Sequence, residues 1–134
     1  MQMTQSERLP LKTDEDVVQV RLTVRAWMLE RGFSLMKQTK MVTATSELAR
    51  NALTHGGGGE ALLEFLVDGD RRGMRVTIED HGRGIEHLEQ AMQGGFSTGG
   101  GLGLGLSGSK QLVDEFAIRS EPGKGTCVTI TTWS

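Results

Sequence analysis

Eight of the fifteen residues from Gly94 to Gly108 are glycine, and the run leads directly into an amphipathic pattern, Lys110-Gln-Leu-Val-Asp-Glu-Phe116. Glycine admits positive φ and lets backbone amides come close to a ligand with no Cβ in the way. Several such amides ending at a helix N-terminus bind anions, because unpaired N–H groups and the helix dipole point the same way. The matching ligand is a polyphosphate. A flexible linker has a similar composition, but a linker separates domains, and only 26 residues follow this run.

Two further groupings have chemical potential. Glu47 and Asn51 lie four apart in a helical pattern, and so share a face. A carboxamide oxygen can ligate Mg²⁺ while the neighbouring carboxylate orients a hydroxyl. The plain alternative is a polar helix edge, since a spacing of four is common. Asp80 closes the alternating row Met74, Val76, Ile78, Asp80, whose apolar members face a core. A carboxylate at the end of a buried row needs donors, and the exocyclic amine of adenine is one. Asp80 also suits the start of a turn before His81-Gly-Arg-Gly84, and both readings stand on the residues alone.

Other nucleotide and metal motifs fail. Ser109 stands between Gly108 and Lys110, which breaks a Gly-Lys-Ser/Thr phosphate loop. Gly103-Leu-Gly105-Leu-Ser-Gly108 matches G-x-G-x-x-G in letters only, because a dinucleotide site needs a preceding strand and a βαβ unit. The H-R-D and D-F-G signatures of the common protein kinases are missing. His55, His81 and His87 lack zinc-ligand spacing and read as surface or loop residues.

The elements that must carry these groups follow from periodicity and punctuation. Leu9–Lys12 closes a first strand, with residues 1–7 as a flexible tail. Thr13-Asp-Glu-Asp16 starts a helix with the stripe Val17, Val20, Val24, Trp27 and Met28, ended by Gly32. Ser34 caps a second helix, which runs to the four glycines 56–59. Ala61–Val67 and Met74–Asp80 are strands around a turn, and residues 86–93 form a short helix. After the glycine run a helix reaches about Glu115. Strands Phe116–Ser120 and Thr126–Trp133 finish the chain around Glu121-Pro-Gly-Lys-Gly125. The expected fold is a single α+β domain over residues 1–134: a two-layer sandwich of one mixed, mostly antiparallel sheet with helices on one face.

Composition agrees. The 134 residues support one core. A net charge of −2 gives no basic face for nucleic acid. No apolar run approaches the roughly 18–20 residues of a membrane span. The lone Cys127 excludes an internal disulfide and suits a reducing cytoplasm.

In order along the chain, four segments resemble the GHKL ATP-binding superfamily of gyrase, sensor histidine kinases and MutL. These are Glu47-Leu-Ala-Arg-Asn51, Asp80-His-Gly-Arg-Gly84, Gly101-Leu-Gly-Leu-Gly105 with upstream Phe96-Ser-Thr98, and Gly123-Lys-Gly-Thr126. The resemblance spans about residues 11–133 and implies a Bergerat-type ATP-binding fold. It implies that Asp80 accepts the adenine amine, with Gly82, Gly84, Ile85 and Thr126 around the base. Asn51 would ligate Mg²⁺, and Glu47 would be the general base. Ser97, Thr98, Gly99, Gly100, Gly101, Leu102, Gly103, Leu104 and Gly105 would hold the phosphates, beneath a mobile lid over residues 86–98. Just inside the next helix, either Lys110 supplies a cation or Ser109 turns inward.

The chain carries no receiver, transmembrane or phospho-accepting helical hairpin segment, so the resemblance is to small anti-sigma-factor kinases rather than to complete histidine kinases. Ser46-Glu-Leu-Ala-Arg-Asn51, Gly95-Phe-Ser-Thr98 and Lys110–Phe116 are most similar to the RsbT-type switch-protein serine kinases of bacteria. That resemblance implies phosphorylation of a STAS-domain antagonist and activation of a partner phosphatase on release. Two alternatives remain at this point: an anti-sigma factor that sequesters a sigma subunit under nucleotide control, and an ATP-gated binding module without catalysis.

Overall fold

A computed structural model describes residues 1–85 and 102–134, with side chains from Leu106 onward in the second stretch. The elements are β1 (Gln2–Leu11), α1 (Asp14–Glu30), α2 (Leu35–Gly56), β2 (Gly59–Asp68), β3 (Arg71–Asp80), α3 (Leu102–Leu112), β4 (Glu115–Glu121) and β5 (Gly125–Trp133).

Local chemistry sets the helix starts. Thr13 accepts from Asp16 N–H at 3.1 Å, and Asp16 Oδ2 accepts from Thr13 N–H at 3.1 Å. This reciprocal box satisfies donors that a helix start leaves open and stabilises it by about 1 kcal/mol. Ser34 caps α2 by accepting from Lys37 N–H at 3.2 Å. Gly57 ends α2 at φ 72°, and Gly58 N–H returns to Ala52 O at 2.9 Å. All three stops and starts match the sequence expectation.

The sheet order is β1-β2-β3-β5-β4, and all four pairings are antiparallel, where a mixed, mostly antiparallel sheet was expected. Register aligns Ala61, Ile78, Val128 and Ile118 in one row and Leu63, Val76, Ile130 and Phe116 in the next. These rows pack against Val20, Val24 and Met28 of α1 and Met41, Leu48 and Ala52 of α2. The helices therefore cover one face. The other face carries polar pairs, including a two-pronged Arg75–Glu64 ion pair at 3.0 and 3.2 Å.

Strands β2, β3 and β4 each extend past their expected ends, and two larger differences change the reading. Residues 2–7 are not a tail: they extend β1, which pairs with β2 from Gln2↔Val67 to Leu11↔Gly59. The other change is at α3, which begins at Leu102 and ends at Leu112, so its first turn is built from the glycine run. Glycine disfavours helix, but Leu106 and Ser109 are buried one turn apart and α3 packs against α2. Tertiary burial outweighs propensity here.

Candidate nucleotide site

Helix α2 presents Glu47, Asn51 and His55 at successive turns, a single column along one side of the helix. Glu47 and Asn51 are half-buried. Among the described residues, Asn51 Nδ2 and His55 Nε2 are buried without a hydrogen-bond partner. Each such orphan costs about 1–3 kcal/mol, so these two atoms mark where a polar ligand would recover a bond. His55 is thus no surface residue, contrary to the sequence reading. Its spacing from Asn51 was the available signal.

Strand β3 delivers Asp80 to the C-terminal end of this helix. Gly56, the last residue of α2, lies so close that a Cβ on it would sit 2.2 Å from Asp80 Cγ. Only glycine permits that approach. Asp80 is 9% exposed. Its Oδ1 accepts from Gly82 N–H at 3.0 Å and from Thr126 N–H at 3.3 Å. No hydrogen bond falls on Oδ2 among the described residues, which leaves a fixed carboxylate with one acceptor oxygen for an incoming donor. Asp80 ends the buried row as expected, and it also opens the turn: Gly82 N–H closes on it two residues later.

The loop after Asp80 is strapped by the β4–β5 hairpin. Gly84 stands at φ 74°, and a Cβ there would lie 2.1 Å from Glu121 O. Gly123 N–H donates to Arg83 O at 2.6 Å, and Ile85 N–H donates to Ser120 Oγ at 2.8 Å. Register places Asp80, Thr126 and Ser120 side by side across β3, β5 and β4. The apolar rows of the core thus end in a polar row of three. Ser120 was missed by sequence reasoning, although it continues the alternation Phe116, Ile118 as Asp80 continues Val76, Ile78.

The phosphate end is described in part. Ser97, Thr98, Gly99, Gly100 and Gly101 lie outside the described residues, as do the expected lid and short helix. Leu102, Gly103, Leu104 and Gly105 form the first turn of α3, where amides have no intrahelical acceptor. Of the two candidates further along, Ser109 is the buried one, while Lys110 is exposed in the last turn of α3 rather than just inside its start.

A shallow pocket of about 340 Å³ lies at the polar row and at the neighbouring row Glu79, Cys127 and Arg119, which faces away from the helices. The orphaned Asn51 amide, the open Asp80 oxygen and the α3 first turn fit a nucleotide triphosphate in chemistry: donors and a helix N-terminus for phosphates, an acceptor for a base amine. Asn51 Oδ1 is the carbonyl-type donor suited to Mg²⁺. Among the described residues, no cluster of three His, Cys, Asp or Glu forms a separate metal site.

Comparison with known proteins decides the family. Residues 36–133 match the model of the histidine kinase-, DNA gyrase B- and HSP90-like ATPases. This chain belongs to that family. Its α+β architecture is that of the GHKL ATPase domain. The serine/threonine-protein kinase RsbT of Bacillus subtilis is 40% identical over 123 residues, covering 92% of each chain. An anti-sigma F factor of Anoxybacillus flavithermus is 33% identical over 115 residues, covering 81% of this chain and 77% of the relative. Among solved structures, the RsbU and RsbW domains of a Mycobacterium tuberculosis protein align with TM-score 0.62 and 24% identity over 96% of this chain, which spans 32% of that longer one. The SiaB–SiaC complex of Pseudomonas aeruginosa aligns at TM-score 0.57 and 10% identity, covering 98% of this chain and 91% of the other. These two likenesses are of fold. Among the described residues, no helix is long and apolar enough to cross a membrane.

Proposed function

We propose that this GHKL domain is an ATP-dependent serine/threonine protein kinase of a cytoplasmic partner-switching pathway, and that its substrate is a STAS-domain antagonist. The observation that carries the nucleotide reading is the Asp80 carboxylate. It is buried, anchored through Oδ1 by two backbone amides, open at Oδ2 among the described residues, and held against the helix that bears Glu47 and Asn51. The kinase reading draws its support from the 40% identity to RsbT.

In this reading Asp80 Oδ2 accepts the adenine amine, with Gly82, Gly84, Ile85 and Thr126 forming the walls around the base. Asn51 would hold Mg²⁺ on the phosphates, where the ion supplies charge neutralisation. The glycine run, from Ser97 through Gly105, would supply amides to the phosphate oxygens. Glu47 would accept the proton of the acceptor serine or threonine as its oxygen attacks the γ-phosphorus, while the bond from that phosphorus to the β,γ-bridging oxygen breaks and ADP leaves. Lys110 has no part, since it lies exposed at the far end of α3. Phosphoryl transfer depends mainly on positioning and charge stabilisation, and this set of groups supplies both. The acceptor hydroxyl comes from the partner protein, and dissociation of that partner frees the kinase to activate a phosphatase.

The test is incubation with γ-labelled ATP and the STAS-domain proteins encoded nearby, followed by mapping of the modified residue. Label on a serine or threonine of one of them is the expected result, and no transfer to any of them contradicts the substrate assignment. One specific observation favours a second reading: the 33% identity to an anti-sigma F factor. Nucleotide-dependent capture of a purified sigma subunit, with no transfer to a STAS protein, would favour an anti-sigma factor.

A further inference from the structure

A carboxylate alone cannot choose adenine. Asp80 Oδ2 only accepts, and both the amine edge of adenine and the N1–H and amine edge of guanine present donors to it. Choosing between them needs a neighbouring group whose proton meets the ring N1, an acceptor in adenine and a donor in guanine. The side-chain hydroxyl nearest in register is that of Thr126, whose own N–H binds Asp80 Oδ1 at 3.3 Å. A threonine hydroxyl has one proton, so its partner decides where that proton goes.

That partner is Ser120. Its Oγ lies 2.8 Å from Thr126 Oγ1, accepts Ile85 N–H at 2.8 Å and is placed to donate to Gly125 O at 3.2 Å. Two proton arrangements are open to these atoms, and the first alone keeps the bond to Gly125 O. In one, Thr126 donates to Ser120 and Ser120 donates to Gly125 O, which leaves Thr126 with only lone pairs to offer. In the other, Ser120 donates to Thr126, and the Thr126 proton is released toward a ligand acceptor. The second arrangement suits adenine N1 and opposes the N1–H of guanine. We infer that Ser120 is a positioning residue that makes Thr126 a donor to the base and so sets the preference for ATP over GTP. The same oxygen holds Ile85 N–H, which ties base selection to the loop that follows Asp80. This inference rests on the nucleotide-site reading above.

Calorimetric binding of ATP and of GTP to wild type, Ser120→Ala, Ser120→Thr and Thr126→Val tests it. Wild type prefers ATP. Ser120→Ala loses about tenfold in ATP affinity, as for one well-placed hydrogen bond, with little change for GTP, so the preference falls. Ser120→Thr, which keeps the hydroxyl, restores it. Thr126→Val must lose the same preference, and it reads the pair through its other member even where Ser120→Ala does not fold. Equal loss for both nucleotides in Ser120→Ala assigns the serine to scaffolding and overturns the inference. An unaltered ATP preference in either Ser120→Ala or Thr126→Val also overturns it. Wild type binding neither nucleotide brings down the nucleotide-site reading itself, and the selectivity role with it.

Discussion

Gly56 ends α2 against the side chain of Asp80, and a methyl group there would come within 2.2 Å of the carboxyl carbon. The helix carries Glu47 and Asn51, and the strand ends in Asp80. This one contact therefore sets the spacing between the groups that face phosphate and acceptor and the group that faces the base. Asp80 has little room to yield, because Gly82 and Thr126 amides hold its Oδ1.

Gly56→Ala is accordingly expected to force helix and strand apart. Overpacking of this kind costs about 1–3 kcal/mol, readable as a lower urea midpoint. ATP affinity should fall with it by roughly tenfold or more, since a 1.4 kcal/mol change is a factor of ten. Wild-type ATP affinity in a folded Gly56→Ala variant would show that the contact does not position the site.

Much of this arrangement was legible in the sequence, for reasons that are local. Thr13 and Ser34 announce their helices because a cap is a bond between residues three apart. Asp80 is visible because alternation in β3 is unbroken and glycines follow it. The misreadings are non-local. Residues 2–7 have no clear alternation of their own and are exposed along an edge; their pairing with β2 makes them a strand. The first turn of α3 reads as loop by composition and becomes helix through burial of Leu106 and Ser109. His55 reads as a surface or loop residue and Ser120 gives no signal, because their roles depend on which atoms the fold buries or brings into register.

Asn51→Ala separates metal from base. The variant should lose the Mg²⁺-dependent part of ATP affinity while binding ATP without Mg²⁺ much as wild type does. Its stability without ligand should be unchanged or higher by about 1 kcal/mol, because the substitution deletes an amide nitrogen that is buried with no partner among the described residues. Calorimetry with and without Mg²⁺, paired with urea denaturation, checks both. An undiminished Mg²⁺ effect would remove Asn51 from the metal.

Glu47→Ala separates binding from transfer. General-base removal usually costs ~10²–10⁴-fold in rate, so phosphorylation of the partner protein should fall by that order while ATP affinity is kept. Single-turnover transfer from labelled ATP measures it. Transfer at the wild-type rate would exclude Glu47 as the base and favour a role for the domain in nucleotide-gated binding.

The most direct measurement of the central claim is calorimetric ATP binding to Asp80→Asn. The amide oxygen can still accept from the Gly82 and Thr126 N–H groups, so the fold and its melting temperature should hold. What changes is the oxygen facing the ligand: an NH₂ replaces it and confronts the adenine amine with another donor. Hydrogen bonds to charged groups contribute about 1.5–3 kcal/mol, so ATP affinity should fall roughly 10–100-fold. ATP bound as tightly by Asp80→Asn as by wild type would contradict the assignment of Asp80 as the residue that reads adenine.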